Sequence, residues 1–226
     1  LLSAGPNFGT PALADIDNDG LPEILFASGN GRIYAWNGDG TDVPGFPVVT
    51  NAYFNSCPAA AYLDGAGDTS LDIVVPGTND SIYVIGPNGT RRTGWPKWNR
   101  VGGTSKAPSP AIADMNNDGY NDIIYQSTNG YVFVYNRDGN VSPGLWAIKH
   151  TPLTSGTAEC SPVVADLDGD GHNDILVGDE GGALTAISGL NGSVLPGFPI
   201  QLAGEIRGTP AVGDIDRDGM TEIVVA

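Results

Sequence analysis

A nine-residue acidic phrase recurs four times in this 226-residue chain and limits what it can fold into. Its fullest copy, Asp166–Asp174, reads DLDGDGHND, with acids at positions 1, 3, 5 and 9 and Gly171 at position 6. The others are Asp15–Glu23 (DIDNDGLPE), Asp114–Asp122 (DMNNDGYND) and Asp214–Glu222 (DIDRDGMTE). Each copy follows a Pro-led approach (PALA, PAIA, PVVA, PAVG) and runs into an apolar stretch (ILFA, IIYQ, ILVG, IVVA). Two carboxylates 4 Å apart repel by about 1 kcal/mol in water and about 4 kcal/mol at a protein-surface dielectric. Several converging carboxylates therefore call for a cation, and hard oxygen donors in flexible number suit Ca²⁺ better than octahedral Mg²⁺. One copy alone reads as a polar turn; four copies in one register do not.

The candidate metal ligands are Asp15, Asp17, Asp19 and Glu23; Asp114, Asn116, Asp118 and Asp122; Asp166, Asp168, Asp170 and Asp174; and Asp214, Asp216, Asp218 and Glu222. The position-7 residues Leu21, Tyr120, His172 and Met220 vary freely, as expected if each offers only its backbone carbonyl. About four Ca²⁺ sites follow. The loops are not EF-hands, which need a glutamate at position 12 between two helices. Position 12 here is Phe26, Tyr125, Val177 and Val225, and the flanks are short and β-branched.

The first acids are spaced by 99, 52 and 48 residues. The long gap holds a degenerate copy, PAAAYLDGAGDTSLDIVV, from Pro58 to Val75, in which Tyr62 takes the first-acid position and two extra residues precede Asp72. The period is then near 50 residues, and four strands are expected in each unit. In unit one these are Ala12–Ala14, Ile24–Ala27, Ile33–Trp36 and a short strand around Phe46–Val49, with turns at Gly29–Gly31 and Asn37–Gly40. Later third strands are Ile82–Ile85, Val132–Tyr135 and Leu184–Ile187, and the alternation in YVFVY and IYAW predicts half-buried strands.

The fourth strands share a signature, PGFP (Pro44–Pro47), TGWP (Thr93–Pro96), PGLW (Pro143–Trp146) and PGFP (Pro196–Pro199), whose aromatic is expected to pack between units. Four short antiparallel strands at this period predict an all-β, β-propeller architecture of four-stranded blades. The blade units run roughly 5–50, 51–100, 101–150, 151–203 and 204–226, the last incomplete, in one domain or part of one. That incompleteness leads us to expect part of a larger propeller. The chain lacks an opening Met, a signal peptide or an 18-residue apolar run, so it reads as a mature or excised segment with no transmembrane segment.

The formal net charge is −16, and the four loops hold 15 of the 26 acids, so the rest of the chain is close to neutral. The acidity belongs to the loops, and nucleic acid is disfavoured as a partner. Cys57 and Cys160 are too few for a disulfide framework and are read as free or, if the fold brings them together, paired.

The units resemble FG-GAP (VCBS-type) repeats, the calcium-loop repeats of integrin α-subunit propellers and many secreted microbial proteins. The specific match is P-x-x-x-D-x-D-x-D-G-x-x-D/E-I, intact in units one, four and five; unit three has Asn116 at position 3, and Phe8–Gly9 is the only literal FG. The resemblance implies that each loop joins the first two strands of a blade and carries Ca²⁺ on one rim, and that the protein is extracellular, secreted or at the cell surface. It also implies roles that range from adhesion receptors and lectins to propellers of carbohydrate-active enzymes.

Five of the ten basic residues lie between Arg91 and Lys106, with Trp95 and Trp98 among them. Arg91, Arg92, Trp95, Lys97, Trp98 and Arg100 are therefore the candidate ligand-binding set, suited to an anionic glycan or an acidic extracellular protein; the alternative is a solvated inter-blade loop with Trp95 buried. Catalysis has little support: GxSxG, HExxH and P-loop motifs are absent, His150 is isolated, and nothing pairs Glu159 with Asp179–Glu180. Sequons at Asn79, Asn88, Asn140 and Asn191 are compatible with glycosylation. The sequence thus points to a non-enzymatic calcium-binding recognition or adhesion module, with an accessory or catalytic propeller of a polysaccharide-active enzyme, or a self-assembling unit of a surface layer or fibre, as alternatives.

Overall fold

The computed structural model describes residues 9–65, 67–79, 81–98, 107–140 and 159–226, and the backbone of 148–150. Arg100, Lys106, the PGLW signature and the His150 side chain lie outside the described residues. Among the described residues there are eighteen strands and no helix. The first sheet contains β1 (Ala12–Ala14), β2 (Glu23–Ser28), β3 (Arg32–Trp36) and β4 (Val48–Val49), in that order. The second contains β5 (Ala59–Tyr62), β6 (Leu71–Pro76), β7 (Ser81–Ile85) and β8 (Lys97–Trp98). The third contains β9 (Ala111–Ala113), β10 (Asp122–Gln126), β11 (Tyr131–Tyr135) and β12 (Ile148–His150). The fourth contains β13 (Val163–Ala165), β14 (Asp174–Gly178), β15 (Ala183–Ile187) and β16 (Ile200–Gln201), and β17 (Ala211–Gly213) pairs with β18 (Glu222–Val224). Neighbours within each sheet are antiparallel. The first strands of successive sheets lie side by side, β1 to β5 to β9 to β13 to β17, so the sheets are β-propeller blades.

The core is a series of layers between blades. Successive side chains of a strand point to opposite faces, so Ile73 and Val75 of β6 pack with Leu25, Ile33 and Phe46 of blade one, while Val74 packs with Ile123 and Tyr125 of blade three. Ile124 and Val132 then meet Ile175 and Val177, and Leu176 meets Val212 and Ile223. This corrects the half-buried reading of the third strands. Val132, Phe133 and Val134 are all buried because a neighbouring blade covers each face; in blade one Ile33 and Ala35 pack toward blade two, and Tyr34 is buried on the other face, stacked on Trp36 with ring centroids 4.8 Å apart.

The fourth-strand signature behaves as a pin between blades. Phe46 joins the layer with Ile73, and Trp95 joins the layer with Ile123, Tyr125 and Phe133. The adjoining glycine allows close approach: a Cβ on Gly45 would lie 1.9 Å from the Asn88 carbonyl oxygen, and one on Gly94 would lie 2.3 Å from that of Asp138. A second seam runs along the residues before the blade-opening prolines. The Thr10 N–H donates to Cys57 Sγ (3.3 Å), Cys57 N–H to Ser109 Oγ (2.9 Å), Ser109 N–H to Ser161 Oγ (3.1 Å) and Ser161 N–H to Thr209 Oγ1 (3.3 Å). Each step links one blade to the next. Cys57 serves as one rung, and Cys160 is buried elsewhere against Gly178, so both thiols are free.

Candidate metal centres

Each acidic loop joins the first two strands of its blade. The strand register fixes its ends: Ala14 faces Glu23, Ala113 faces Asp122, Ala165 faces Asp174 and Gly213 faces Glu222. Position 2 anchors the loop into the core in three copies, with Ile16 and Met115 buried and Leu167 partly so; Ile215 is exposed. Positions 4 and 6 take left-handed backbone conformations. The position-6 glycines have φ between 84° and 91°, where a side chain would be strained. Position 4 is Gly169 in one loop, but Asn18, Asn117 and Arg217 adopt the same region at φ 61°, 57° and 65°. Asparagine tolerates this conformation; arginine does so rarely.

These two reversals turn backbone amides toward the acids. The position-6 N–H donates to Oδ2 of the position-1 aspartate in all four loops, at 2.8–3.0 Å. The position-7 N–H donates to Oδ1 of the position-5 aspartate, at 2.8–2.9 Å. Position 5 closes onto position 3 at 3.1–3.3 Å. In three loops the carboxylates at positions 1, 3 and 5 each place an oxygen within 4.8 Å of the others: Asp15, Asp17 and Asp19; Asp166, Asp168 and Asp170; Asp214, Asp216 and Asp218. The third loop has Asn116 between Asp114 and Asp118, and its side-chain oxygen accepts the Asp118 N–H at 3.1 Å, as an aspartate does elsewhere.

The position-9 acid is placed differently. Glu23, Asp122 and Asp174 are buried, and one oxygen of each accepts the position-2 N–H, at 2.8, 3.0 and 2.9 Å. Glu222 does the same at 2.7 Å. Burial pushes the carboxyls of Glu23 and Asp174 up from their ordinary values against the pull of those amides, and the neighbouring loop aspartates push the same way. A divalent cation would relieve that cost. The donor set fits one: Ca²⁺ at 2.3–2.6 Å from each oxygen spans ligand pairs up to about 5 Å apart. The His172 ring takes no part, because its Nδ1 lies 3.2 Å from Asn117 Nδ2 in the neighbouring loop.

Amide side chains stitch the loops into one rim. Asn173 Nδ2 donates to the Asp114 carbonyl and Asn121 Nδ2 to that of Tyr62, both at 2.8 Å. Asn117 Nδ2 reaches the Gly171 carbonyl at 3.5 Å.

The second loop differs. Ala61 faces Asp72, so Tyr62 sits at position 1 and the loop carries two extra residues. Buried Leu63 keeps the position-2 anchor. No trio of close carboxylates occurs there among the described residues. Instead Arg92 bonds Asp72 through Nη1 and Asp64 through Nη2, and Arg137 of blade three adds a contact to Asp64 at 3.2 Å. Burial pushes the Asp72 carboxyl up to about 6, with Arg92 pulling back. Arg92 and Arg137 hold Asp64 below its ordinary value.

That arrangement revises the candidate ligand-binding set. Arg92 is committed to its own blade. Trp95 is buried between blades and donates its Nε1–H to the Arg137 carbonyl at 2.9 Å. Arg91 bonds the Val49 carbonyl at 2.8 Å and covers the Tyr83 ring. Trp98 is 53% exposed, whereas Lys97, its neighbour on β8, turns to the opposite face, where its Cε lies 2.1 Å from where a Cβ on Gly139 of blade three would stand, so the outward-facing part of the set narrows to Trp98 and Arg91. Glu180, one of the acids weighed for catalysis, pairs with Arg207 at 3.1 Å.

The matches to known proteins agree with the repeat and the fold. Family models of the FG-GAP-like repeat match residues 114–177 and 166–225. Those blades belong to the FG-GAP-like repeat family. No curated protein sequence matches the chain. Among solved structures it is similar to the V. cholerae biofilm matrix protein Bap1 (TM-score 0.67, 22% identity, 96% of this chain and 34% of that one). It is also similar to Saccharomyces cerevisiae Sqt1 (TM-score 0.70, 13% identity, 96% and 56%) and to the C-terminal domain of Pseudomonas aeruginosa PilY1 (TM-score 0.60, 17% identity, 90% and 52%). The chain thus spans from about a third to just over half of each of these proteins, and at such identities the likeness is one of fold. No helix among the described residues is long and apolar enough to cross a membrane.

Proposed function

We propose that this chain is an extracellular calcium-binding propeller module of recognition or adhesion, in which Ca²⁺ is structural and no reaction is catalysed. One observation carries the reading: the same amide-lined acidic cup recurs in four loops, three of them with carboxylate trios within 4.8 Å. A centre repeated once per blade suits a structural ion, whereas a catalytic centre is normally unique. The fold neighbour Bap1 is a biofilm matrix protein, which supports a place outside the cell for this chain. The partner is a glycan or an extracellular protein, met by the exposed Trp98 and Arg91.

Two measurements test this. Thermal melting in millimolar calcium and in EGTA gives a lower Tm in chelator, because each site at ten times its Kd adds about 1.4 kcal/mol. Equal melting in both would remove the calcium from the reading. A glycan array and an extracellular-protein panel, probed in calcium, give a hit that Trp98→Ala weakens. A properly folded protein with no hit on either would remove the recognition role.

A further inference from the structure

Blade two carries a charge where blades one and four carry core. The Arg92 N–H donates to the Val84 carbonyl, as Val43 does to Ala35 and Leu195 does to Ala186. Those acceptors share one register, one residue before Ile85, Trp36 and Ile187, which face Ile73, Ile24 and Ile175. Arg92, Val43 and Leu195 therefore occupy one structural position. Val43 and Leu195 are buried apolar side chains. An arginine there has nothing apolar to offer; its guanidinium instead reaches the acidic loop of its own blade and bonds Asp64 and Asp72.

Asp72 is the position-9 acid by strand register, and Asp64 sits at position 3, two residues after Tyr62. The side chains of Arg92 and Asp72 are only 17% and 8% exposed. A carboxylate buried to that extent needs a partner charge. Among the described residues the carboxylate trios of the first, fourth and fifth loops form no ion pair with an arginine or lysine, whereas this loop's Asp64 and Asp72 are held by Arg92, and Asp64 by Arg137 as well.

We propose that Arg92 is the resident cation of the second loop: its guanidinium takes the place that a divalent ion takes in the other four, and blade two is closed without metal. The planar fork suits the role, because it meets two carboxylates in two directions where a single ammonium would not. The proposal rests on reading the other loops as calcium sites. It gives the propeller one blade whose loop stays shut when calcium is withdrawn, and it makes the number of ions four rather than five.

The test has one arm without metal and one with it. In EGTA, Arg92→Met lowers the Tm by roughly 5 °C, since it strands two acids, one of them buried. Adding Asp64→Asn and Asp72→Asn to it restores most of that loss. A triple variant no more stable than Arg92→Met would reduce Arg92 to a packing residue and overturn the proposal. In calcium, equilibrium dialysis gives four ions per chain for the unaltered protein and five for Arg92→Met. Asp64→Asn, a half-exposed change that keeps the protein folded, leaves the count at four. Five ions on the unaltered protein, a count that falls with Asp64→Asn, or one that does not rise with Arg92→Met would each overturn it. If the unaltered protein binds no calcium, the calcium reading fails by itself, and the EGTA arm decides the role of Arg92 as the counter-charge.

Discussion

Replacing Asp168 by asparagine should stabilise the protein in chelator and destabilise it in calcium. Asp168 shares its loop with Asp166 and Asp170, and the three carboxylates place oxygens within 4.8 Å of one another. At that separation each pair repels by about 0.9 kcal/mol at the dielectric of water and about 3.5 kcal/mol at a surface dielectric. Asparagine removes two of the three pairs. The unfolded chain keeps part of the repulsion, because residues two apart sit about 7 Å from each other when extended, which costs about 0.6 kcal/mol per pair in water. The net gain then runs from about 0.5 kcal/mol for a fully hydrated loop to about 6 kcal/mol for a desolvated one. Asp168 and Asp170 are exposed, so the lower end applies, and a gain near 1 kcal/mol raises Tm by about 2–4 °C in a domain of this size. The loop geometry survives the change: Asp168 Oδ1 accepts the Asp170 N–H at 3.2 Å, and Asn116 makes the same bond at 3.1 Å in loop three. With calcium present the sign reverses, since the variant offers the ion a neutral ligand in place of a charged one. The assay is differential scanning calorimetry at low ionic strength, where screening does not blunt the effect, in EGTA and in millimolar calcium. A variant that melts lower than the parent in both buffers would refute the electrostatic account, and one that melts identically in both would refute the metal.

Trp95→Ala should cost about 3–5 kcal/mol, because it empties a buried inter-blade position against Ile123, Tyr125 and Phe133 and leaves the Arg137 carbonyl without its donor. Trp98→Ala, at an exposed site, should stay within about 0.5 kcal/mol of the parent in denaturant melts. Asp72 has its carboxyl raised to about 6, so its contribution to stability is complete below its ordinary value near 3.8 and is lost as pH rises through about 6. In EGTA the Tm of Asp72→Asn minus that of the parent should therefore grow between pH 5 and pH 7; a flat difference would mean that Asp72 is not desolvated. Asn173→Ala frees the Asp114 carbonyl, which opens the neighbouring acidic loop, and on the proposed calcium reading should lower the calcium affinity of loop three as well as costing about 1 kcal/mol. Unchanged calcium isotherms would separate the two loops energetically.

The repeat made much of this structure legible in advance. Strand order follows from hydrophobic runs between turn residues, and the two-residue insertion before Asp72 follows from aligning units; the observed pairing of Ala61 with Asp72 agrees. What was not legible comes from contacts between blades. The alternation in YVFVY suggests one wet face, but alternation cannot say whether a second blade covers that face, and here one does. The pre-proline seam was missed, although a signal was present: Thr10, Cys57, Ser109, Ser161 and Thr209 are small side chains able to accept a hydrogen bond, each before the proline that opens a blade.

Arg91, Arg92 and Trp95 do not share one face, for a related reason. Nearness in sequence suggested a common outward surface, whereas adjacent residues of an extended segment point to opposite sides. Arg91 and Arg92 accordingly diverge, one to the Val49 carbonyl in blade one and the other to Asp64 and Asp72 in its own loop. The register of the repeat held the better signal. Arg92 aligns with Val43 and Leu195, and a charge at a position that is apolar in blades one and four must find its counter-charge within the fold or be expelled from it. Asp72, whose loop holds no close carboxylate trio among the described residues, is where that search ends.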